Sequence, residues 1–294
     1  MLKSLMLIVN PFSGRGKAKE FLYDILEQFC HKGYLVNVFL AGGPDSVEEL
    51  ARKYAGGFEM VVCVGGDGTL SDTISGLMYS EVRPPVGYIP MGTANDMAST
   101  LDLSHNPVEA AKRIVNGTSF PLDVGAYKDR FFTYVAAFGA FTEVSYSTPQ
   151  NEKRALGHLA YVFRGISSVA SIKPKHTVVE YDGGVLEDDY IFGSVTNSTS
   201  VAGMVKLDPS DVSLSDGEFE IILVKQPMNL VEFSDLVDNV THQNFQSENL
   251  KLLHSKKVRF TFDEPVDWTR DGENGGRHQV IEIENRASAI QLIL

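Results

Sequence analysis

Cysteine and basic residues are both scarce in this 294-residue sequence, and each shortage excludes a class of protein. Only Cys30 and Cys63 occur, which excludes a disulfide-stabilised scaffold or a multi-cysteine zinc module and favours a reducing, intracellular setting. The 38 acidic residues against 26 basic ones give a formal net charge of −12. Because nucleic-acid phosphates require a basic surface, this charge argues against a nucleic-acid-binding protein.

Long apolar runs are also missing. No stretch approaches the roughly 20 apolar residues that a membrane-spanning helix requires. The residues from Met1 to Ser4 and the strand-like run after them lack the hydrophobic region and the cleavage site of a signal peptide. A hydrophobic fraction of 43% with 22% charged residues is ordinary for globular proteins. We therefore expect a soluble cytoplasmic protein with a substantial core.

The first 122 residues alternate between two hydrophobic patterns. Short apolar runs predict strands at residues 5–9, 34–40, 60–64 and 85–89. Between them, helical spacing predicts helices over 21–29 and 70–78, and Ser46-Val47-Glu48-Glu49 predicts a capped helix start. Strands that alternate with helices predict a mostly parallel sheet covered on both faces.

The pattern changes after about residue 122. Strand-like runs follow one another there with few helical segments between them, at residues 131–138, 177–181, 190–195, 219–224, 258–262, 280–283 and 290–294. Asp182-Gly183-Gly184 is typical of a hairpin turn. We therefore predict an α/β protein with an N-terminal, mostly parallel α/β domain over 1–122 and a C-terminal β-sandwich-like domain over 123–294.

A glycine-rich loop follows the third predicted strand. In Gly65-Gly66-Asp67-Gly68-Thr69, glycines let backbone N–H groups approach an anion, and the following helix N-terminus adds partial positive charge. The Asp67 carboxylate would repel a polyphosphate unless a divalent cation such as Mg²⁺ lies between them. A strand–helix turn capped by Asp67 or Thr69 is the alternative.

Two more loops follow predicted strands at the same edge of the sheet. In the first loop, Asn10 can hydrogen-bond a nucleotide, while Ser13 and Gly14 can offer N–H groups to phosphate; Asn-Pro and Ser-Gly are also common turn formers. In the third loop, Thr93 supplies a hydroxyl and Asp96 can join Asp67 near a metal; a helix cap at Thr93 or Asn95 is the alternative.

Taken together, these loops resemble one known family. Asn10-Pro11-Phe12-Ser13-Gly14, Gly65-Gly66-Asp67-Gly68-Thr69 and Gly92-Thr93-Ala94-Asn95-Asp96 match the diacylglycerol kinase catalytic domain in order and spacing, and the chain resembles bacterial soluble lipid kinases of the YegS/BmrU group over nearly its whole length. NAD kinases share the second motif, whereas the first and third favour a lipid kinase. Ser71-Asp72 stands where many members carry Asn-Glu.

The resemblance implies transfer of the γ-phosphoryl group of ATP to the primary hydroxyl of diacylglycerol or a related lipid, with Mg²⁺. It implies a nucleotide site formed by Asn10, Pro11, Phe12, Ser13, Gly14, Gly65, Gly66, Asp67, Gly68, Thr69, Leu70, Ser71 and Thr93. Asp67, Asp96 and Asp123 would organise Mg²⁺ and water; for Asp123, an interdomain hydrogen bond is the alternative. The rival functions are an NAD kinase-like or other small-molecule kinase, and a non-catalytic protein that senses nucleotide or lipid.

Two Asp-Gly elements in the second half complete the implied site. The resemblance makes Glu273, in Asp271-Gly272-Glu273, the general base for the lipid hydroxyl, whereas the residues alone indicate a hairpin turn with a solvated glutamate. It also implies a structural Mg²⁺ on the Asp216 carboxylate and the main-chain carbonyls of Ser213 and Glu218. Without the resemblance, that segment is a turn before a strand.

Residues 151–176 form a basic, partly apolar segment with a local charge of +4, from five Lys and Arg residues against Glu152. Such a segment can dock on a membrane surface, which would place the protein peripherally at the inner face of the membrane. A solvated helix packed on the core is the alternative. The oligomeric state stays open, with a homodimer as one option.

Overall fold

The secondary structure follows the two hydrophobic patterns of the sequence. The computed structural model describes residues 3–43, 46–93, 95–139, 173–201, 205–208, 210–245 and 247–294. Its helices are α1 (Ala18–His31), α2 (Ser46–Tyr54), α3 (Asp67–Met78), α4 (Asp96–Thr100), α5 (Pro107–Asn116) and α6 (Leu230–Thr241). Its strands are β1 (Lys3–Val9), β2 (Tyr34–Leu40), β3 (Met60–Gly65), β4 (Val86–Pro90), β5 (Ser119–Tyr127), β6 (Arg130–Phe132), β7 (Val135–Gly139), β8 (Lys175–Tyr181), β9 (Gly184–Thr196), β10 (Ser200–Val201), β11 (Val205–Lys206), β12 (Phe219–Lys225), β13 (Leu250–Ser255), β14 (Lys257–Arg270) and β15 (Glu273–Ile293).

The chain divides into two compact units. The first comprises Met1–Val124 together with Ala287–Leu294, and the second comprises Gly125–Arg286. The return of the last eight residues to the first unit was not part of the division predicted from sequence.

Burial of Cys63 in β3 of the first unit raises the pKa of its thiol to about 12, as expected for a thiol inside a core strand.

The first unit is built on a parallel sheet. Strand β1 pairs in parallel with β2 on one side and β3 on the other, and β3 pairs with β4. Leu292, near the end of β15, pairs in parallel with Val86 of β4. Helix α1 packs against α5, and α2 packs against α3. This arrangement brings the carboxyl ends of β1, β3 and β4, and the loops that follow them, to one edge of the sheet.

The second unit is antiparallel. The long strands β9 and β14 each pair with both β7 and β8, so these four strands form a closed circuit of pairings. Strands β12 and β13 extend the sheet from β9. The core of this unit includes an aromatic cluster in which Trp268 packs with Phe138, Phe260 and Phe262.

The predicted fold class is confirmed, with differences in detail. Helices α5 and α6 were not predicted, and the two strands predicted at 280–283 and 290–294 are parts of the single strand β15, which ends at Ile293. Among the described residues, no helix combines the length and the apolar character needed to cross a membrane. Most of the basic segment at 151–176 lies outside the described residues, which resume at Lys173.

Candidate active site

The three predicted loops in the first unit are joined by hydrogen bonds. The Asn10 side chain donates from Nδ2 to the Thr69 hydroxyl at 3.1 Å, and its Oδ1 accepts the Phe12 N–H at 3.0 Å. The Asn10 N–H donates to the Val64 carbonyl, and the Met91 N–H donates to the Gly65 carbonyl. Each loop is therefore held to its neighbour where a strand ends.

Glycine at two positions permits the close approach of these loops. A Cβ atom on Gly92 would lie 2.6 Å from the Gly66 Cα atom, closer than real Cβ contacts allow. Gly14 has a φ of +59°, and a Cβ atom there would lie 2.5 Å from the Met91 carbonyl oxygen. The second and third loops can thus touch through backbone, and the first can reach the third.

Asp67 links the second loop to the third. It is nearly buried, and its Oδ2 and Oδ1 atoms accept the N–H groups of Asp96 and Met97, each at 3.0 Å. The Asp67 carboxylate therefore sits at the start of the short helix α4, near the half-buried Asp96. Two of the predicted acidic residues are thus brought together.

Asn95 organises the third loop, a role that the sequence did not indicate. Its φ of 53° lies in the left-handed region, and its Oδ1 accepts the Gly92 N–H at 2.8 Å while its Nδ2 donates to the Gly92 carbonyl. Its side chain makes no cap bond to α4. Asn95, the residue before α4, therefore closes the loop, whereas the Asp67 carboxylate caps the helix.

The other predicted nucleotide-site residues differ in accessibility. The side chains of Leu70 and Ser71 are buried within α3, and the Leu70 N–H donates to the Gly66 carbonyl. Phe12 and Thr93 are exposed. Gly65 and Thr69 are also buried. Five further loop positions are partly accessible: Pro11, Ser13, Gly14, Gly66 and Gly68.

Asp123 is fully buried on β5. Its Oδ1 accepts the Ser288 N–H at 2.6 Å, and Ser288 has a φ of 51°. Both residues belong to the first unit, so this carboxylate stabilises the chain where β15 returns to that unit. A part for Asp123 in the reaction stays a prediction.

Glu273 in the second unit follows a rigidly held turn. Asp271 and Gly272 form the two-residue turn between β14 and β15, with φ values of 46° and 83°. The Asp271 carboxylate is buried and accepts the N–H groups of Thr133, Tyr134 and Val135 at 2.7, 3.0 and 2.9 Å. The Glu273 side chain, which follows the turn at the start of β15, is 58% exposed. The hairpin expected from the residues alone is therefore present, and it fixes the backbone of Glu273.

The segment predicted to hold a structural metal is an Asx turn. The exposed Asp216 accepts the Glu218 N–H on Oδ1 at 3.0 Å, Gly217 has a φ of +83°, and the Glu218 carbonyl accepts the Asn285 side-chain amide. Within the described part of the chain, no group of three His, Cys, Asp or Glu side chains could hold a metal ion. A cation here would therefore depend on the Asp216 carboxylate and carbonyl oxygens, including that of Ser213, and such oxygens are suitable ligands for Mg²⁺.

Comparison with known proteins assigns the chain to a family. The profile of the diacylglycerol kinase catalytic domain matches residues 4–127, and that of the YegS C-terminal NAD kinase beta sandwich-like domain matches residues 135–294. The chain belongs to the diacylglycerol kinase family. It is accordingly a lipid kinase, a phosphotransferase that uses ATP.

Individual relatives cover nearly the whole chain. A diacylglycerol kinase of Bacillus subtilis (strain 168) is 31% identical over 278 residues, which is 94% of this chain and 91% of that protein. A diacylglycerol kinase of Staphylococcus carnosus (strain TM300) is 31% identical over 280 residues, covering 94% and 90%. The crystal structure of a diacylglycerol kinase from Bacillus anthracis str. Sterne has the same fold, with a TM-score of 0.78 at 22% identity and coverage of 99% and 96%.

Proposed function

We propose that this enzyme transfers the γ-phosphoryl group of ATP to the primary hydroxyl of diacylglycerol and so produces phosphatidic acid. The observation that carries the proposal is the junction of the three loops, in which Asn10 bonds Thr69 and Asp67 bonds the start of α4. The names of the relatives support diacylglycerol as the acceptor. The hydroxyl oxygen forms a bond to the γ-phosphorus, the bond from that phosphorus to the β–γ bridging oxygen breaks, and ADP leaves.

The triphosphate is proposed to lie on the three loops. Glycine backbone there can come within hydrogen-bond distance of phosphate oxygens, and the N-terminus of α3 adds partial positive charge. The transition state of phosphoryl transfer is loose, so positioning and charge neutralisation supply most of the acceleration. The loop contacts provide the positioning, because each loop is held by hydrogen bonds to the next.

Magnesium is proposed to neutralise the phosphates at the acidic side chains of the first unit. Asp67 Oδ2 and Oδ1 accept the N–H groups of Asp96 and Met97, which holds this carboxylate in the second loop, and carboxylate oxygens are ligands that suit Mg²⁺. Asp96 lies next to this carboxylate, and Asp123 is proposed to act with them through water, because the three residues, all within the described ranges, do not form a three-carboxylate metal cluster. Held by Asp67 and Asp96, Mg²⁺ would supply the positive charge that neutralises the phosphates. A second, structural Mg²⁺ is proposed on Asp216 with the carbonyls of Ser213 and Glu218.

Glu273 is proposed as the general base. Its carboxylate would accept the hydroxyl proton as the new oxygen–phosphorus bond forms, a contribution that is typically about 10²–10⁴-fold in rate. The exposure of its side chain and the fixed turn before it support this role. We also propose that the enzyme reaches its lipid at the membrane surface through the basic segment at 151–176.

The test is an assay with labelled ATP and Mg²⁺, in which diacylglycerol in mixed micelles, undecaprenol and NAD are offered separately. We expect phosphate to be incorporated into diacylglycerol, and the label to stay in ATP when the divalent cation is chelated. Glu273→Gln should bind ATP normally and lose transfer, whereas Glu264→Gln, an exposed glutamate on β14, should keep it. Labelling of NAD or undecaprenol alone would contradict the proposed acceptor, and normal turnover of Glu273→Gln would remove the proposed base.

A further inference from the structure

Arg270, the last residue of β14, carries a nearly buried charge beside the proposed base. Its side chain is 9% exposed, and its Nη1 donates to the Phe131 carbonyl at 2.9 Å. Phe131 lies in β6, which is paired with β5, so this carbonyl belongs to an ordered hairpin. A buried guanidinium is costly unless it is paired, and one carbonyl satisfies only part of its five N–H donors.

The guanidinium is also directed at Glu273. Arg270 and Glu273 are the cross-strand pair that flanks the Asp271-Gly272 turn, and Arg270 Nη2 lies 3.9 Å from Glu273 Oε2. This distance is longer than a hydrogen bond but within the range of an ion pair. The adjacent Asp271 carboxylate is engaged by the N–H groups of residues 133–135. The Arg270 guanidinium is therefore held by the Phe131 carbonyl while its Nη2 atom faces the Glu273 carboxylate.

The hydroxyl of Tyr127 lies within the influence of the same charge. It donates to the Gly275 carbonyl at 3.1 Å, two residues beyond Glu273. Burial raises the pKa of Tyr127, and the Arg270 charge acts in the opposite direction. The Arg270 guanidinium therefore lies close to the start of β15, the strand that begins at Glu273.

We propose that Arg270 is a positioning residue for phosphoryl transfer: its guanidinium, fixed on the Phe131 carbonyl, orients the Glu273 carboxylate to receive the proton of the lipid hydroxyl. This inference rests on the proposed function, in which Glu273 is the base. Stability alone explains Arg270 poorly, because an ion pair with an exposed carboxylate contributes little and an apolar side chain would be easier to bury.

The experiment is a double-mutant cycle on kcat that combines Arg270→Met with Glu273→Gln. Arg270→Met should lower kcat about tenfold, as expected for a misplaced catalytic group, and leave the KM for ATP unchanged. Arg270→Lys, which keeps the positive charge, should recover part of that loss. In the Glu273→Gln background, Arg270→Met should cost nothing further, because the carboxylate that it positions is already gone.

A matched control is available on the same strand. Arg259 pairs with Glu180 at 3.6 Å with both side chains about half exposed, and Arg259→Met should leave kcat unchanged. If Glu273→Gln is slow and Arg270→Met slows it tenfold again, Arg270 acts independently of Glu273 and the inference is overturned. If Glu273→Gln turns over normally, the proposed base is wrong as well. Unfolding midpoints establish that each variant is folded, and Arg270→Lys can replace Arg270→Met in the cycle if the methionine variant is not.

Discussion

At the scale of single residues, three aspartates of this kinase bind backbone N–H groups far away in sequence. Asp67 accepts from residues 96 and 97, Asp123 accepts from residue 288, and Asp271 accepts from residues 133–135. A charged acceptor makes these hydrogen bonds stronger than neutral ones. The first two aspartates are therefore structural as well as candidates for the reaction, and a variant that removes either one will affect loop geometry together with charge.

His176 on β8 gives a prediction about pH. Its ring faces Asp189 at 3.0 Å and Glu187 at 3.2 Å, with Asp263 further away, and these carboxylates raise the pKa of His176 above 6.5. Because the folded-state pKa is raised, the stabilisation is fully present below the unfolded-state pKa and is lost as the pH rises through the folded-state value.

Removal of this histidine should therefore matter more in acid. We expect His176→Asn to lower the unfolding midpoint more at pH 6 than at pH 8.5, with an NMR titration of the wild-type ring centred above 6.5. His254→Asn serves as the control for loss of an exposed imidazole, because that ring faces the Asp211 carbonyl and not a carboxylate. An equal effect of His176→Asn at both pH values would contradict the prediction.

At the scale of elements, apolar periodicity predicted most of the long strands, but it missed β5, in which residues 122–127 are buried, and the polar middle of β15. Residues 284–289 of β15 are mostly polar, so the strand was predicted as two pieces. Helix α6 contains β-branched residues and four Asn, Asp or Ser residues, all weak helix formers. Its start was nevertheless visible, since Asn229 caps the N–H groups of Val231 and Glu232.

The candidate site was predictable only in part for a related reason. The glycine-rich loops were visible because their composition and their place after strands are local properties. The proximity of Asp96 to Asp67 was predicted because both follow strands at one edge of the sheet, but the N–H groups that Asp67 accepts were not. The partners of Asp271 could not be predicted, since they lie nearly 140 residues away in sequence. The environment of Arg270 was missed for the same reason, because its partner Phe131 lies on another hairpin.

The two Asp-Gly hairpins give a matched prediction about turns. In the β14–β15 turn, Asp271 uses both oxygens, Oδ2 for Thr133 and Oδ1 for Tyr134 and Val135. In the β8–β9 turn, Asp182 accepts from the Ser255 hydroxyl and from the Lys256 N–H, in both cases with Oδ2. Asparagine can reproduce the contacts of Asp182 but not those of Asp271, because its side chain has only one acceptor oxygen.

Asp271→Asn should therefore destabilise the second unit by about 1–3 kcal/mol, since its NH₂ group would face a buried N–H donor. Asp182→Asn should cost less than about 0.5 kcal/mol, because one oxygen suffices and the site is exposed. Denaturant unfolding monitored by the fluorescence of Trp268, the single tryptophan and a core residue of this unit, measures both. Equal losses in the two variants would show that the second oxygen of Asp271 is unimportant.

At the scale of the whole molecule, the chain begins and ends in the same compact unit. Leu294 and Thr118 exchange two backbone hydrogen bonds, at 3.0 and 3.1 Å, and Leu292 pairs with Val86 at the edge of the parallel sheet. Ile290 and Leu292 are each 1% exposed. The first unit therefore includes a strand that is synthesised after the second unit, and a fragment of residues 1–122 lacks part of its own core.

This arrangement predicts that removal of residues 287–294 destabilises the unit that carries the phosphate loops. The burial of two aliphatic side chains contributes about 1.5–3 kcal/mol each, and Asp123 would lose the Ser288 N–H. We expect the truncated chain to lose ATP binding.

The full-length variant Leu292→Ala tests the same packing. We expect its free energy of unfolding to fall by about 2–5 kcal/mol in denaturant unfolding. Gln291→Ala, which removes only an exposed hydrogen bond to Ser119, should cost less than about 1 kcal/mol. Since the strand supplies core residues and not ligand contacts, Leu292→Ala should bind ATP normally while it is folded. If Leu292→Ala were no less stable than Gln291→Ala, the last strand would not be part of the core of this unit.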